Sequence, residues 1–225
     1  NLSETGLRAV WTRQLKPEWQ VQWGVQSSLY HFAPIDLVPA AESAIQRIQT
    51  SQKNGFLQSF FIGTTLEISP KLSTEAGLRW GLYQQIGPGT EYEYPGGIPD
   101  REAFFVDSVG FDRLKPMQFY QGLEPRIAFR YLVNPEFSIK TAFNRNFQYL
   151  QIASNSSAGL PIDRWVLADR YIRPIQSDQI SLGFFRNFQQ NRWEFSLEGY
   201  YKDLKNVIDL RNGAQVLFTD QVETE

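Results

Sequence analysis

The 225-residue sequence has no cysteine, one histidine and one methionine. Without thiols there is no disulfide framework, no thiolate metal site and no cysteine nucleophile. With His31 the only imidazole, metal chemistry is reduced to carboxylate sites, and Asp203, Asp209 and Asp220 are too dispersed for a calcium loop, so neither metal nor cofactor is expected. A Ser-His-Asp site would have to use His31, and no Gly-x-Ser-x-Gly elbow accompanies it, so no catalytic residue is assigned. Gly87-Pro88-Gly89 and Gly96-Gly97 are not followed by Lys-Ser or Lys-Thr and read as turns rather than phosphate cradles. No run approaches about 18 consecutive apolar residues, so a bilayer could be crossed only by strands. Positive and negative side chains nearly balance, 22 against 24, which gives no electrostatic case for nucleic acid.

What the chain does have is aromatic rings, 15% of residues, at a mean hydropathy of only −0.38. Rings without overall hydrophobicity suit a wall with one apolar and one polar face. Eight stretches alternate in that way. Trp19, Val21, Trp23 and Val25 oppose Gln20, Gln22 and Gln26; Ala76, Leu78, Trp80 and Leu82 oppose Glu75, Gly77, Arg79 and Gly81; Ile127, Phe129 and Tyr131 oppose Glu124, Arg126 and Arg130. The segment near 5–14 is the least regular of the eight.

The connections between these stretches alternate too. Residues 15–18, 69–72, 133–136 and 188–191 are tight turns, three of them holding a proline that presets φ and cannot extend a ladder. Between them run long polar segments at roughly 33–55, 87–119 and 147–174, far longer than connections in a compact soluble domain. Short turns at one end and long loops at the other are the plan of an all-β, antiparallel, up-and-down transmembrane β-barrel, with the long loops outside the cell. A soluble β-sandwich also alternates, but its strands are shorter and its polar faces carry fewer opposed charges.

From this plan Val21, Trp23, Leu78, Trp80, Phe129, Phe143, Leu182 and Leu197 are expected to face lipid. Trp19, Tyr131, Phe137 and Trp193 are expected in a girdle beside the short turns, and Tyr30, Phe56, Tyr120 and Phe147 in the opposite girdle. Glu67, Glu75 and Arg130 each fall about four residues from a turn on the polar parity, and Arg130 is expected to bridge the two acids. A short helix is expected over 39–48, with Pro39 in its first turn. The loop residues Tyr94, Phe105, Tyr149, Asn155 and Trp165, with Asn144 on the polar face of its strand, form the candidate ligand-binding set, because rings beside amides suit glycans or peptides.

The segment from Gly122 carries Leu123-Glu124-Pro125-Arg126, Phe137-Ser138-Ile139-Lys140, Asn146-Phe147-Gln148-Tyr149-Leu150, Leu160-Pro161-Ile162-Asp163-Arg164-Trp165, Ile172-Arg173-Pro174-Ile175 and Tyr200-Tyr201-Lys202-Asp203. It resembles the late barrel of TonB-dependent outer-membrane receptors, and more narrowly the Bacteroidota group with a carboxypeptidase-regulatory-like domain. The resemblance implies a location in the outer membrane and uptake of a nutrient ligand without bond-making chemistry. It implies about eight strands of a barrel of about 22, so residues 1–225 would be part of a longer receptor. The partners it implies are membrane lipid, the remaining strands, a plug domain through which TonB acts, and a surface lipoprotein in some systems. Asn1-Leu2-Ser3-Glu4 carries no signal peptide and Val222-Glu223-Thr224-Glu225 no terminal aromatic, which agrees with a fragment or a processed chain. The competing expectation is a small barrel closed on itself, acting as an adhesin or outer-membrane enzyme. Its narrow lumen would have to be filled by side chains, whereas Gly63, Gly77, Gly81 and Gly183 all fall on the polar parity.

Overall fold

The computed structural model describes residues 2–33, 36–38, 48–49, 51–95, 105–153, 164–188 and 192–208. Eight long strands form one antiparallel sheet: β1 (Leu2–Lys16), β2 (Trp19–Phe32), β5 (Lys53–Ser69), β6 (Leu72–Ile86), β9 (Pro116–Asn134), β10 (Phe137–Gln148), β13 (Ile175–Phe188) and β14 (Trp193–Lys205). Each strand pairs with its sequence neighbours in the order β1-β2-β5-β6-β9-β10-β13-β14. Short hairpins occupy the long connections: β3 (Asp36–Leu37) with β4 (Ile48–Gln49), β7 (Gly89–Glu93) with β8 (Asp107–Phe111), and β11 (Leu150–Ala153) with β12 (Arg164–Leu167). Of the helix expected over 39–48, residues 39–47 lie outside the described ones. Ile48 belongs to a strand pair with Leu37.

The register puts the apolar parities of all eight strands on one face. Trp23 pairs with Trp11 and Ile62, Ile62 with Leu78, Phe60 with Trp80, Ile127 with Phe143, and Phe184 with Leu197. Their side chains are uncovered, with Trp23 38% and Leu197 59% exposed, as expected of a face turned to lipid. Charge bounds the apolar belt at both ends. On β13, Asp178 and Arg186 share the outward parity and enclose Ile180, Leu182 and Phe184. Eight residues separate the two charges, about 26 Å along the strand. Asp178 is held by Arg145 through bonds of 2.6 and 2.9 Å, and Arg186 lies 4.7 Å from the Phe188 ring.

Trp19, Tyr131, Phe137 and Trp193 all take the outward parity beside the short turns, as expected for that girdle. The opposite girdle needs correction. Phe56 faces outward, but Tyr30 pairs with Gly55, and Tyr120 with Tyr83, on the inner face. Tyr30 shares its parity with Gln20 to Gln26, and that alternation outweighs an aromatic ring's preference for the interface. Phe147 stays paired with Gln176 at the end of β10 but packs on Gly122 instead of joining the outer girdle, for the reason given below.

The sheet is open among the described residues. Among the described residues β1 and β14 each pair on one side only. An eight-stranded barrel closed on itself would require them to pair with each other, so the small-barrel expectation does not hold. A β-sandwich would bury one face of the sheet against a second sheet, and the only other sheets described are two-stranded.

Candidate functional site

The inner face is polar through its middle. Arg8, Gln22, Gln26, Phe61, Arg79 and Arg126 line a concavity of about 360 Å³ whose floor is the paired glycines Gly63 and Gly77. Arg8 sits 5.3 Å from the centre of the Phe61 ring, and Phe61 itself fills the space that a Cβ on Gly24 would take. Beside the trough Arg79 donates to Ser59 Oγ at 2.8 Å and to Glu124 Oε2 at 3.4 Å. Glu124 is buried, and the Phe147 N–H also reaches its carboxylate.

That last contact follows from a proline. Leu132 donates its N–H to Lys71 O, so along the unbroken register the even-numbered residues of β9 direct their backbone groups to β6 and the odd ones to β10. The last β9-β10 pair is Arg126 with Asn144; the next would join Pro125 to Arg145. Proline has no N–H to give. The ladder stops there, β10 stays with β13 as far as Gln148, and the chain beyond swings across the inner face. Phe147 packs over Gly122 so closely that a Cβ on the glycine would overlap its ring. Its N–H, left without a strand partner, takes the Glu124 carboxylate instead.

Residues 149–153 and 164–173 then form a strap over the inner wall. Tyr149 stacks on Tyr83 with ring centroids 4.9 Å apart and planes 12° from parallel. Tyr83 donates to Ala168 O at 3.1 Å and Tyr120 to Asp169 O at 2.7 Å. Leu57, Tyr83, Tyr149, Leu167 and Ala168 make a buried cluster. Asp169 Oδ1 accepts from the N–H groups of Tyr171 and Ile172, closing a turn, and Oδ2 lies 3.7 Å from Lys53 Nζ. The strap also grips the β7-β8 hairpin: Arg170 reaches Glu91 at 3.3 Å and Glu93 at 3.1 Å, and the Tyr171 hydroxyl donates to Tyr92 O at 2.6 Å. Burial, with help from Glu124, pushes the Tyr149 hydroxyl up to about 12.

Most of the expected ligand set falls in or near this strap. Tyr149 is buried in it. Tyr94 is buried as well, edge-on to Tyr171 at 5.8 Å, and Phe105 lies 5.2 Å from Tyr92 on the hairpin. Trp165 is on β12, 44% exposed. Asn144 is on the inner face at the foot of the seam between β9 and β10, where Asn146 donates to its Oδ1 at 2.9 Å. Asn155 lies outside the described residues.

The expected charge bridge does not form. Glu67 pairs with Ser73 and Ser73 with Arg130, so the two charged residues share a row with Ser73 between them, while Glu75 stands opposite Ala128 two places along. Glu75 and Arg130 line one concavity with Lys140 and Glu198, but no ion pair joins Arg130 to either acid among the described residues. Equal distance from a turn placed them at similar height and left the intervening strand out of account. The inner-wall ion pair is Arg79–Glu124 instead, directly opposed in the register. Opposed charges on one parity, at Arg79 and Glu124, were the available signal.

Residues 3–222 match the family described as TonB dependent receptor-like, beta-barrel. No curated protein matches the chain. Solved structures share its fold at low identity. The hemophore receptor HasR of Serratia marcescens, solved as a double mutant with its hemophore HasA and heme, is 16% identical with a TM-score of 0.59 over 93% of this chain. The FrpB iron transporter of Neisseria meningitidis is 11% identical with a TM-score of 0.58 over 99%. The alcaligin outer-membrane receptor FauA of Bordetella pertussis is 13% identical with a TM-score of 0.52 over 99%. The chain spans 34%, 30% and 32% of their respective lengths, about a third in each case.

Proposed function

Since the chain belongs to the TonB-dependent receptor β-barrel family, we propose that it supplies about eight strands of wall, and part of the mouth, of an outer-membrane receptor that captures a nutrient for TonB-driven uptake. The observation that carries this reading is the open sheet: apolar outside, charged and amide-lined inside, with β1 and β14 each paired on one side only among the described residues. Free edges in a membrane wall must be met by further strands. The polar trough around Arg8, Arg79 and Arg126 suits a plug domain held in the lumen by hydrogen bonds. TonB would act on that plug, so energy coupling lies outside these strands, and no residue here has a bond-making task. The motifs from Gly122 onward favour the Bacteroidota type with a carboxypeptidase-regulatory-like domain, and with it a surface lipoprotein partner. Ligand contacts fall to the loop set, of which Phe105 and Trp165 are exposed and Tyr94 and Tyr149 are packed.

Deleting the gene for the full receptor and measuring uptake of candidate nutrients tests this. Uptake should fall in the deletion strain and equally in a strain lacking TonB. Uptake that persists without TonB would refute the reading.

A further inference from the structure

We infer that the slot between Tyr83, Gly81 and Glu124 is a subsite for a planar, hydroxyl- or amine-bearing ring of the transported ligand, and that Tyr149 fills it from the strap until such a ring displaces it. The inference rests on the receptor reading and adds to it a chemical class of ligand and the place where it docks.

Three observations converge on the slot. Its shape is that of a flat ring: Tyr83 forms one wall in near-parallel stacking, and Gly81 leaves the end open, since a Cβ there would stand 3.1 Å from the Tyr149 hydroxyl. Its polar group is underused. Glu124 Oε1 lies 3.7 Å from that same missing Cβ, and its carboxylate is served by a long Arg79 contact and one backbone N–H. Its occupant fits incompletely. The Tyr149 hydroxyl is buried with no hydrogen-bond partner, so the ring enters the slot but its oxygen does not engage the carboxylate beside it.

A buried hydroxyl without a partner has lost its water and gained nothing in return, so the strap sits in a seat that a better-matched ring can take. A second unpartnered buried atom, Gln151 Oε1, is also on the strap. Displacement would uncover a shelf of Leu57, Tyr83 and Tyr120 for the rest of the ligand. Stacking holds any aromatic ring, and Glu124 selects one that carries a donor at its far edge.

The test uses purified full-length receptor in detergent and calorimetric titration with para-cresol, methylcatechol and the saturated control methylcyclohexanol. Tyr149→Ala should bind para-cresol where the wild type shows far weaker binding, because the tethered ring no longer competes. Methylcatechol should bind about tenfold more tightly than para-cresol, the effect of one added hydrogen bond to a charged group. Glu124→Gln in that background should abolish the advantage, and methylcyclohexanol should bind poorly throughout. Tyr149→Leu serves as a second opened variant, and heat-modifiable electrophoretic mobility reports that each barrel is folded. In the wild type, saturating methylcatechol should raise hydrogen exchange over 149–153 and 164–168. Folded opened variants that bind para-cresol no better than wild type, or a wild-type strap whose exchange methylcatechol leaves unchanged, would overturn the proposal. No TonB enters these measurements, so their failure is distinguishable from failure of the uptake experiment.

Discussion

Tyr83 holds the strap at two points, its ring against Tyr149 and its hydroxyl against Ala168 O. One wall residue thus fastens the strap where it enters the lumen and again where it returns from β12. The pairing explains why the inner wall is glycine-rich at this level. Gly55, Gly81 and Gly122 are the places where Tyr83, Tyr149 and Phe147 come closest to the backbone.

Gly122→Ala should therefore loosen the strap, since its methyl would overlap the Phe147 ring. The expected cost is about 1–3 kcal/mol, typical of an overpacked contact. A methyl on Gly199, on the outer face, would meet nothing within 4 Å, so Gly199→Ala should leave stability and strap unchanged. Hydrogen exchange over 149–153 in the two variants separates these outcomes.

Alkaline pH should release the strap. The Tyr149 hydroxyl is raised from the usual 10.0 to about 12, so the folded state prefers the neutral phenol. Its contribution to stability is complete below pH 10.0 and is lost as pH rises toward about 12. Tyrosinate absorbance in the wild type should contain a late-titrating part, and Tyr149→Phe should reduce that part by one tyrosine. An unchanged titration in that variant would contradict the burial of Tyr149.

Arg170→Ala should weaken the grip between the strap and the β7-β8 hairpin by no more than about 1 kcal/mol, because the side chain is half exposed and its pairs are screened. Tyr171→Phe removes a 2.6 Å bond to Tyr92 O and should cost about 0.5–1.5 kcal/mol with little salt dependence. Hydrogen exchange of the 164–172 amides at low and high salt distinguishes the two.

On the inner wall Arg79→Ala should cost about 1–3 kcal/mol, because Glu124 is left buried with one partner fewer. Arg130→Ala should fall within about 0.5 kcal/mol, as it breaks no ion pair. On the outer face Leu78→Arg should cost about 2–4 kcal/mol near the bilayer midplane. Urea unfolding from lipid vesicles ranks the three, and an Arg130 variant as destabilised as Leu78→Arg would restore the charge bridge.

The wall is legible in the sequence because a period of two and proline-marked turns are local signals. The turns at 15–18, 69–72 and 133–136 and the outward parity of Leu78, Trp80 and Phe129 follow from them directly. The strap is not legible in the same way, because it depends on where a ladder ends rather than on what a segment prefers. Pro125 stands in plain view within an otherwise regular strand, a residue that central strands exclude. Taken as a ladder stop, it removes Phe147 from the outer girdle. Tyr30 and Tyr120 depart from expectation for a simpler reason: the parity of their neighbours outweighs a ring's liking for interfaces.

The missing N–H of Pro125 also has a mechanical side. Ladders of hydrogen bonds are what make a barrel wall stiff around its circumference, and above Arg126 and Asn144 no ladder joins β9 to β10 among the described residues. Hoop strain on this part of the wall would concentrate at that seam, and the strap is rooted at the same seam. Phe147 and Tyr149 stand beside that seam, so the part of the wall that would yield first is also the part that anchors the strap.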